Sequence, residues 1–159
     1  MLNFQQNLGP FENALYHDEK GDPRAASLYR KAIAEGDNKA DAWCNLGILE
    51  SGSGNAAKAI DAFANALKED PRHLEAHFNL ANHYAEVGNA PLAKIHYETV
   101  IEIDHEFPGV YYNYGILLAS KGEYKEAISM ISKYRRLARD NNKNIDELLR
   151  NLMHSSIMN

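Results

Sequence analysis

The chain repeats itself. Ala25, Ala59, Ala93 and Ala127 recur every 34 residues, as do Tyr29, Phe63, Tyr97 and Ile131. Further series at the same spacing are Tyr16, Glu50, Tyr84 and Leu118, and Ala32, Ala66, Val100 and Tyr134. Shorter ones are Trp43, His77 and Tyr111, then Leu46, Leu80 and Tyr114, then Gly47, Ala81 and Gly115. Gly54, Gly88 and Gly122 mark a turn inside each unit. A fixed period of this length constrains the fold more than any composition does. Each unit is one small element that cannot bury its apolar face alone, so the units must stack.

Within a unit the pattern reads as two helices. Trp43, Leu46 and Gly47 fall at helical spacing, with Glu50 as a polar exception, and Gly52-Ser53-Gly54 breaks the run. Asn55 is the expected N-cap of a second helix through Leu67. Asp22 before Pro23, and Asn89 with Pro91 behind it, play that part elsewhere. A proline in the first helical turn sacrifices no hydrogen bond. Asp70-Pro71 ends one unit, and Gly9-Pro10 cuts the first helix of the first unit short. The alanine series lets paired helices approach closely, while the aromatics fill the space between pairs. Truncating Trp43 to alanine would cost about 3–5 kcal/mol if the indole is fully buried.

Helix, tight turn, helix at this period resembles the tetratricopeptide repeat. The second unit carries the resemblance best, through Trp43, Leu46, Gly47, Ala59, Phe63, Ala66, Leu67 and Pro71, and departs at Glu50. The third keeps Leu80, Ala81, Tyr84, Ala93 and Tyr97, with His77 for the tryptophan and His105 for the proline. The fourth keeps Tyr111, Tyr114, Gly115, Ala127 and Ile131, and loses a small residue at Tyr134. The first keeps Tyr16, Ala25, Tyr29 and Ala32. The resemblance implies an all-α fold, a right-handed α-α superhelix of about four helix-turn-helix units. These would be a degraded unit over 10–39, then 40–73, 74–107 and 108–141. An extension over 1–9 precedes them and a capping helix over 142–159 follows. That last segment opens with Asn144-Ile145-Asp146-Glu147, a capping box with asparagine as the cap. Ile145, Leu148, Leu149, Leu152 and Met153 then form one apolar stripe, suited to covering the exposed end of an array.

Composition excludes several classes. The 159 residues are 45% hydrophobic and 25% charged, as in ordinary globular proteins. Cys44 is the one cysteine, so no internal disulfide forms. No run approaches the ~18 apolar residues of a membrane helix. Met1–Asn7 has neither the basic nor the apolar region of a secretory signal, so the expected location is the cytoplasm. A formal charge of −5 argues against nucleic acid as the partner.

The resemblance further implies that the first helices of the pairs line a concave groove. The sixth residue of successive units is Asn45, Asn79 and Asn113. An asparagine side chain offers an acceptor and two donors, and so can bond both groups of a peptide unit. Helices packed ~8–10 Å apart would then meet about every third residue of an extended chain that rises ~3.3–3.6 Å per residue. The row is similar to the asparagine ladder of superhelical members of the family; the alternative is a family habit in which asparagine at that place serves local helix bonding or solubility. Beside it stand the acidic Asp41, Glu75 and Glu86, the apolar or aromatic Cys44, Ile48, Phe78, Tyr112 and Ile116, and the neutral Asn82. Repeat domains that clamp a chaperone's terminal carboxylate need lysine or arginine at the fifth and ninth residues. Here those places hold Cys44 and Ile48, Phe78 and Asn82, and Tyr112 and Ile116. The expected ligand is therefore an extended, partly apolar protein segment, neutral to slightly basic.

Candidate chemistry is sparse. His73 and His77 are four apart, but His77 fills a packing slot and the glutamate between them is misplaced for a zinc protease motif. Cys44 reads as an inert thiol lining the groove. The basic run Lys133-Tyr134-Arg135-Arg136-Leu137-Ala138-Arg139 reads first as the exposed face and last turn of a helix, where cations favour the macrodipole, and alternatively as a surface for an acidic partner or nucleic acid. No phosphate loop or nucleophile elbow is present. The reading is a non-enzymatic scaffold with no cofactor, no metal and no membrane or nucleic-acid partner; self-association into a homo-oligomer is compatible with it. The rival readings are a dedicated chaperone for a secreted client and a targeting subunit of a separate enzyme.

Overall fold

The computed structural model describes residues 8–139 and 142–158, so most of the extension expected over 1–9 lies outside them. The described residues form nine helices: α1 (Pro10–Asp18), α2 (Ala25–Glu35), α3 (Lys39–Gly52), α4 (Ala56–Glu69), α5 (Leu74–Glu86), α6 (Ala90–Ile103), α7 (Pro108–Ser120), α8 (Tyr124–Ala138) and α9 (Lys143–Met158). Among the described residues there is no strand. The fold is all-α, of the helical-repeat superhelix class. Gly54, Gly88 and Gly122 sit at the turns with φ of 77–78°, a left-handed conformation that an L side chain would strain. The helices divide between two compact units, residues 1–80 and 81–159, with the boundary inside α5.

In the first unit the core gathers Phe11, Ala14, Ala25, Tyr29, Ala32, Ala42 and Leu46. The Phe11 and Tyr29 rings meet at 6.0 Å. Proline at the first position lets α1 begin at Pro10, and the Phe11 amide donates to Asp37 Oδ2 at 2.8 Å. α1 has nine residues where α3 has 14, as the Gly9-Pro10 break requires. Between α3 and α4, Ala59, Phe63 and Ala66 are wholly buried. A Cβ on Gly47 would stand 2.6 Å from Phe63 Cε1, so only glycine admits that ring.

Four expectations change here, the first being that α2 has Arg24 rather than Asp22 at its N-cap and no side-chain cap. Asn55 precedes α4 but makes no side-chain cap; its amide donates to Glu50 Oε2 at 2.9 Å. Trp43 is half-buried against the core rather than enclosed, so the full cost of an aromatic deletion does not apply to it. α4 runs on to Glu69, two residues past Leu67.

In the second unit Ala93, Val100, Val110, Ala127 and Ile131 are wholly buried, and Tyr97 and Tyr111 nearly so. The Tyr97 and Tyr114 rings stack at 5.4 Å. Gly115 repeats the device of Gly47, since its Cβ would meet Ile131 Cδ1 at 2.7 Å. Asn89 caps α6 as expected, accepting from the Leu92 amide at 3.3 Å, with Pro91 in the first turn. α9 begins earlier than the expected capping box: Lys143 is already helical, and Asn142 Oδ1 accepts from the Asn144 amide at 3.0 Å. Ile145, Leu149 and Leu152 of its stripe are buried, whereas Met153 is 49% exposed.

Candidate functional site

The three asparagines sit on α3, α5 and α7, half-buried, and their amides do different things. Asn45 Nδ2 donates to Tyr29 Oη at 3.2 Å, and that hydroxyl donates to Asp18 Oδ2 at 2.8 Å. Asn113 Nδ2 donates at 2.9 Å to Asn82 Oδ1, which also accepts from Tyr97 Oη at 2.8 Å. Asn79 Nδ2 turns back to its own helix, donating to the Glu75 carbonyl at 2.9 Å. The residues 16 and 31 positions earlier account for the difference: Asn113 bonds Asn82, where the residue at the corresponding place before Asn79 is the apolar Ile48. Asn45 and Asn113 follow Tyr29 and Tyr97, whereas Asn79 follows Phe63, which has no hydroxyl to join a network. Each amide still has a second N–H and a carbonyl by its chemistry.

In the second unit α5, α6 and α7 enclose a cavity of about 500 Å3 lined by Asn82, Glu86, Tyr97, Tyr112, Asn113 and Ile116, among others. Tyr112 and Ile116 are 36% and 40% exposed, so apolar surface faces the opening. Tyr134 supports Tyr112 from behind, ring to ring at 5.1 Å. That contact is the use of a large residue in a slot that is small elsewhere. Glu86 supplies an exposed carboxylate, 3.6 Å from the Nδ1 of buried His83. Burial, and then the charge of Glu86, push the Tyr97 hydroxyl well above its usual range, so it stays a neutral donor. The cavity lining contains no lysine or arginine.

The remaining expected residues, Asp41, Cys44, Asn45, Ile48, Glu75, Phe78 and Asn79, belong to the first unit. Ile48 is 44% exposed and Phe78 half-buried. Cys44 does not line a groove, because its side chain is wholly enclosed. Burial, then the charges of Glu75 and Asp41, push its thiol up to about 12, so the thiolate is suppressed.

Sequence reading missed two contributors. Tyr97 looked like packing alone, yet its hydroxyl fixes Asn82 at the cavity; a tyrosine where another unit has phenylalanine was the available signal. His73 is buried and caps α5: its Nδ1 accepts from the Ala76 amide at 3.2 Å, which leaves Nε2 to carry the proton toward Asp41 Oδ1 at 3.1 Å. His77 is half-buried and its Nε2 donates to the Pro71 carbonyl at 3.1 Å. Among the described residues no three His, Cys, Asp or Glu side chains cluster as metal ligands would, and no helix is long and apolar enough to cross a membrane.

One sequence profile of the tetratricopeptide repeat matches residues 50–105 and a second matches 96–129. The tetratricopeptide repeat-containing protein trd-1 of Caenorhabditis elegans is 26% identical over 116 residues, which is 73% of this chain and 15% of that protein's length. Among solved structures, MamA superposes with a TM-score of 0.72 at 23% identity, over 82% of this chain and 77% of that one. YrrB, described as a tetratricopeptide-repeat protein with an unusual peptide-binding site, superposes with a TM-score of 0.70 at 21% identity, over 83% and 69%.

Proposed function

This chain belongs to the tetratricopeptide-repeat family, and from that premise we propose that it holds an extended segment of another protein against α5 and α7. Repeats of this family are generally scaffolds rather than enzymes. The observation that carries the reading is the cavity of about 500 Å3 in the second unit, where Asn82, Glu86, Tyr112, Asn113 and Ile116 converge. None of these five belongs to the wholly buried core, and two are large exposed apolar or aromatic side chains. Tyr112 and Ile116 offer apolar contact to one side chain of the segment. Asn113 and Asn82 offer amides to its backbone. Glu86 selects against acidic residues and favours a basic one. The peptide-binding site named for YrrB is a precedent on the same fold.

The binding is weak by construction. Each amide hydrogen bond is worth only ~0.5–1.5 kcal/mol net, so a single short segment binds in the micromolar to millimolar range. The test is selection from a random ten-residue peptide library, followed by titration of the winners against the parent and Ile116→Ser. Selected peptides should be apolar with neutral or basic neighbours. The variant should bind them about tenfold more weakly at an unchanged melting temperature, because Ile116 is 40% exposed. Winners that bind Ile116→Ser as well as the parent would remove the groove from the account.

A further inference from the structure

A second constellation lies outside the groove. Ser132, Arg135, Arg136 and Arg139 stand at i, i+3, i+4 and i+7 of α8 and its C-cap, so they share one face. With Leu149 of α9 they line a cavity of about 350 Å3. A stripe at this spacing is ordinarily apolar when its only task is to pack a neighbouring helix. Here three exposed arginines line the cavity together with the buried Leu149. The helix macrodipole favours cations in a last turn, but it does not require them all on the face that opens into one cavity.

The local charge is unbalanced. Arg135 Nη1 is held by Asp146 Oδ1 at 2.8 Å. Among the described residues Arg136 and Arg139 have no carboxylate partner; Asp140, next in sequence, lies outside those residues. Arg139 takes φ of 51° at the helix C-cap, where glycine is the favoured residue, as Gly36 is at the end of α2. Two of the three arginines at this cavity thus have no described carboxylate partner, in a chain whose formal total is −5.

We propose that the cavity lined by Ser132, Arg135, Arg136, Arg139 and Leu149 binds a phosphomonoester, presented as a phosphoserine or phosphothreonine on a protein partner. The two guanidiniums without a described carboxylate partner, Arg136 and Arg139, match the charge of about −1.5 to −2 on a phosphomonoester at neutral pH. Guanidinium forks match phosphate oxygens two at a time. A nucleic acid would need a track of cations along several phosphates, whereas the three arginines here gather at one cavity. The site is separate from the groove, and its ligand chemistry is opposite.

The test uses the full chain and fluorescent Gly/Ser peptides carrying a central phosphoserine, serine or glutamate. Fluorescence anisotropy should give at least about tenfold tighter binding of the phosphoserine peptide than of either other peptide. Inorganic phosphate should displace it, and rising ionic strength should weaken it. Arg136→Gln with Arg139→Gln should cancel the preference, with Arg135 left in place to hold Asp146. Should that pair of changes lower the melting temperature, the lysine pair supplies the readout: it keeps the charge without the fork and should bind at an intermediate level. Equal binding of phosphoserine and serine peptides, or of phosphoserine and glutamate peptides, overturns the proposal. So does an undiminished preference in the glutamine pair, or a single-stranded oligonucleotide that outcompetes the phosphopeptide.

Discussion

Asn79 and Asn113 hold the same place in their repeats, one in the first compact unit and one in the second. Asn113 is tied through Asn82 to the hydroxyl of Tyr97, and the three line a cavity. Asn79 follows Phe63 and bonds its own helix at Glu75. The first-helix aromatic slot differs in the same direction: Tyr111 is 2% exposed, while Trp43 is half-buried. A repeat fixes where side chains stand, but the partner one helix away decides what each polar side chain can do. A row of identical residues in sequence is therefore not a row of identical sites.

The largest expected effect separates the aromatic slots. Tyr111→Ala should destabilise by about 3–5 kcal/mol, the range for a buried aromatic, and Trp43→Ala by clearly less, read by urea unfolding. Equal costs would break the comparison. Next comes Gly115→Ala. Its methyl group would overlap Ile131, so about 1–3 kcal/mol of overpacking is expected, and the added Ile131→Val should recover part of it.

A smaller change sharpens the asparagine contrast. Tyr29→Phe removes the acceptor of Asn45 and the donor to Asp18. It should cost about 0.5–1.5 kcal/mol and turn Asn45 toward the Asp41 carbonyl, as Asn79 turns to Glu75. Side-chain amide NMR signals of Asn45 that stay unmoved would contradict that. The last effect is confined to alkaline solution. The Cys44 thiol is raised from 9.0 to about 12 in the fold. The folded state therefore holds its proton more tightly than the unfolded chain does. That contribution is complete below pH 9 and is lost as pH rises toward 12. Cys44→Ala should flatten the decline over that window.

Much of the fold was legible because alanines, glycines and aromatics at a fixed spacing answer one packing problem several times. Ala25, Ala59, Ala93 and Ala127 are all buried, as close helix contact demands. The errors came where burial depends on the partner. Cys44 lies next to Asn45 but points into the core, since neighbouring residues on a helix face 100° apart. Trp43 has the size of a core residue, yet how much of it is covered depends on neighbours that its own repeat does not specify. The hydrogen bonds of Asn45 and Asn113 depended on Tyr29, 16 residues earlier, and Asn82, 31 residues earlier, where the places before Asn79 hold Phe63 and Ile48. The charge excess at the end of α8 was visible as a basic run, but not that Ser132 and Leu149 complete a cavity with it.

The central claim is that the face made by α5 and α7 around Asn113 is where a partner segment lies. Hydrogen exchange of the chain, alone and with a library-selected peptide, tests it most directly. Slower exchange on peptide addition should concentrate at the Asn82–Glu86 and Tyr112–Ser120 stretches. Protection that appears instead along the exposed faces of α6 and α8, leaving those stretches unchanged, would contradict it.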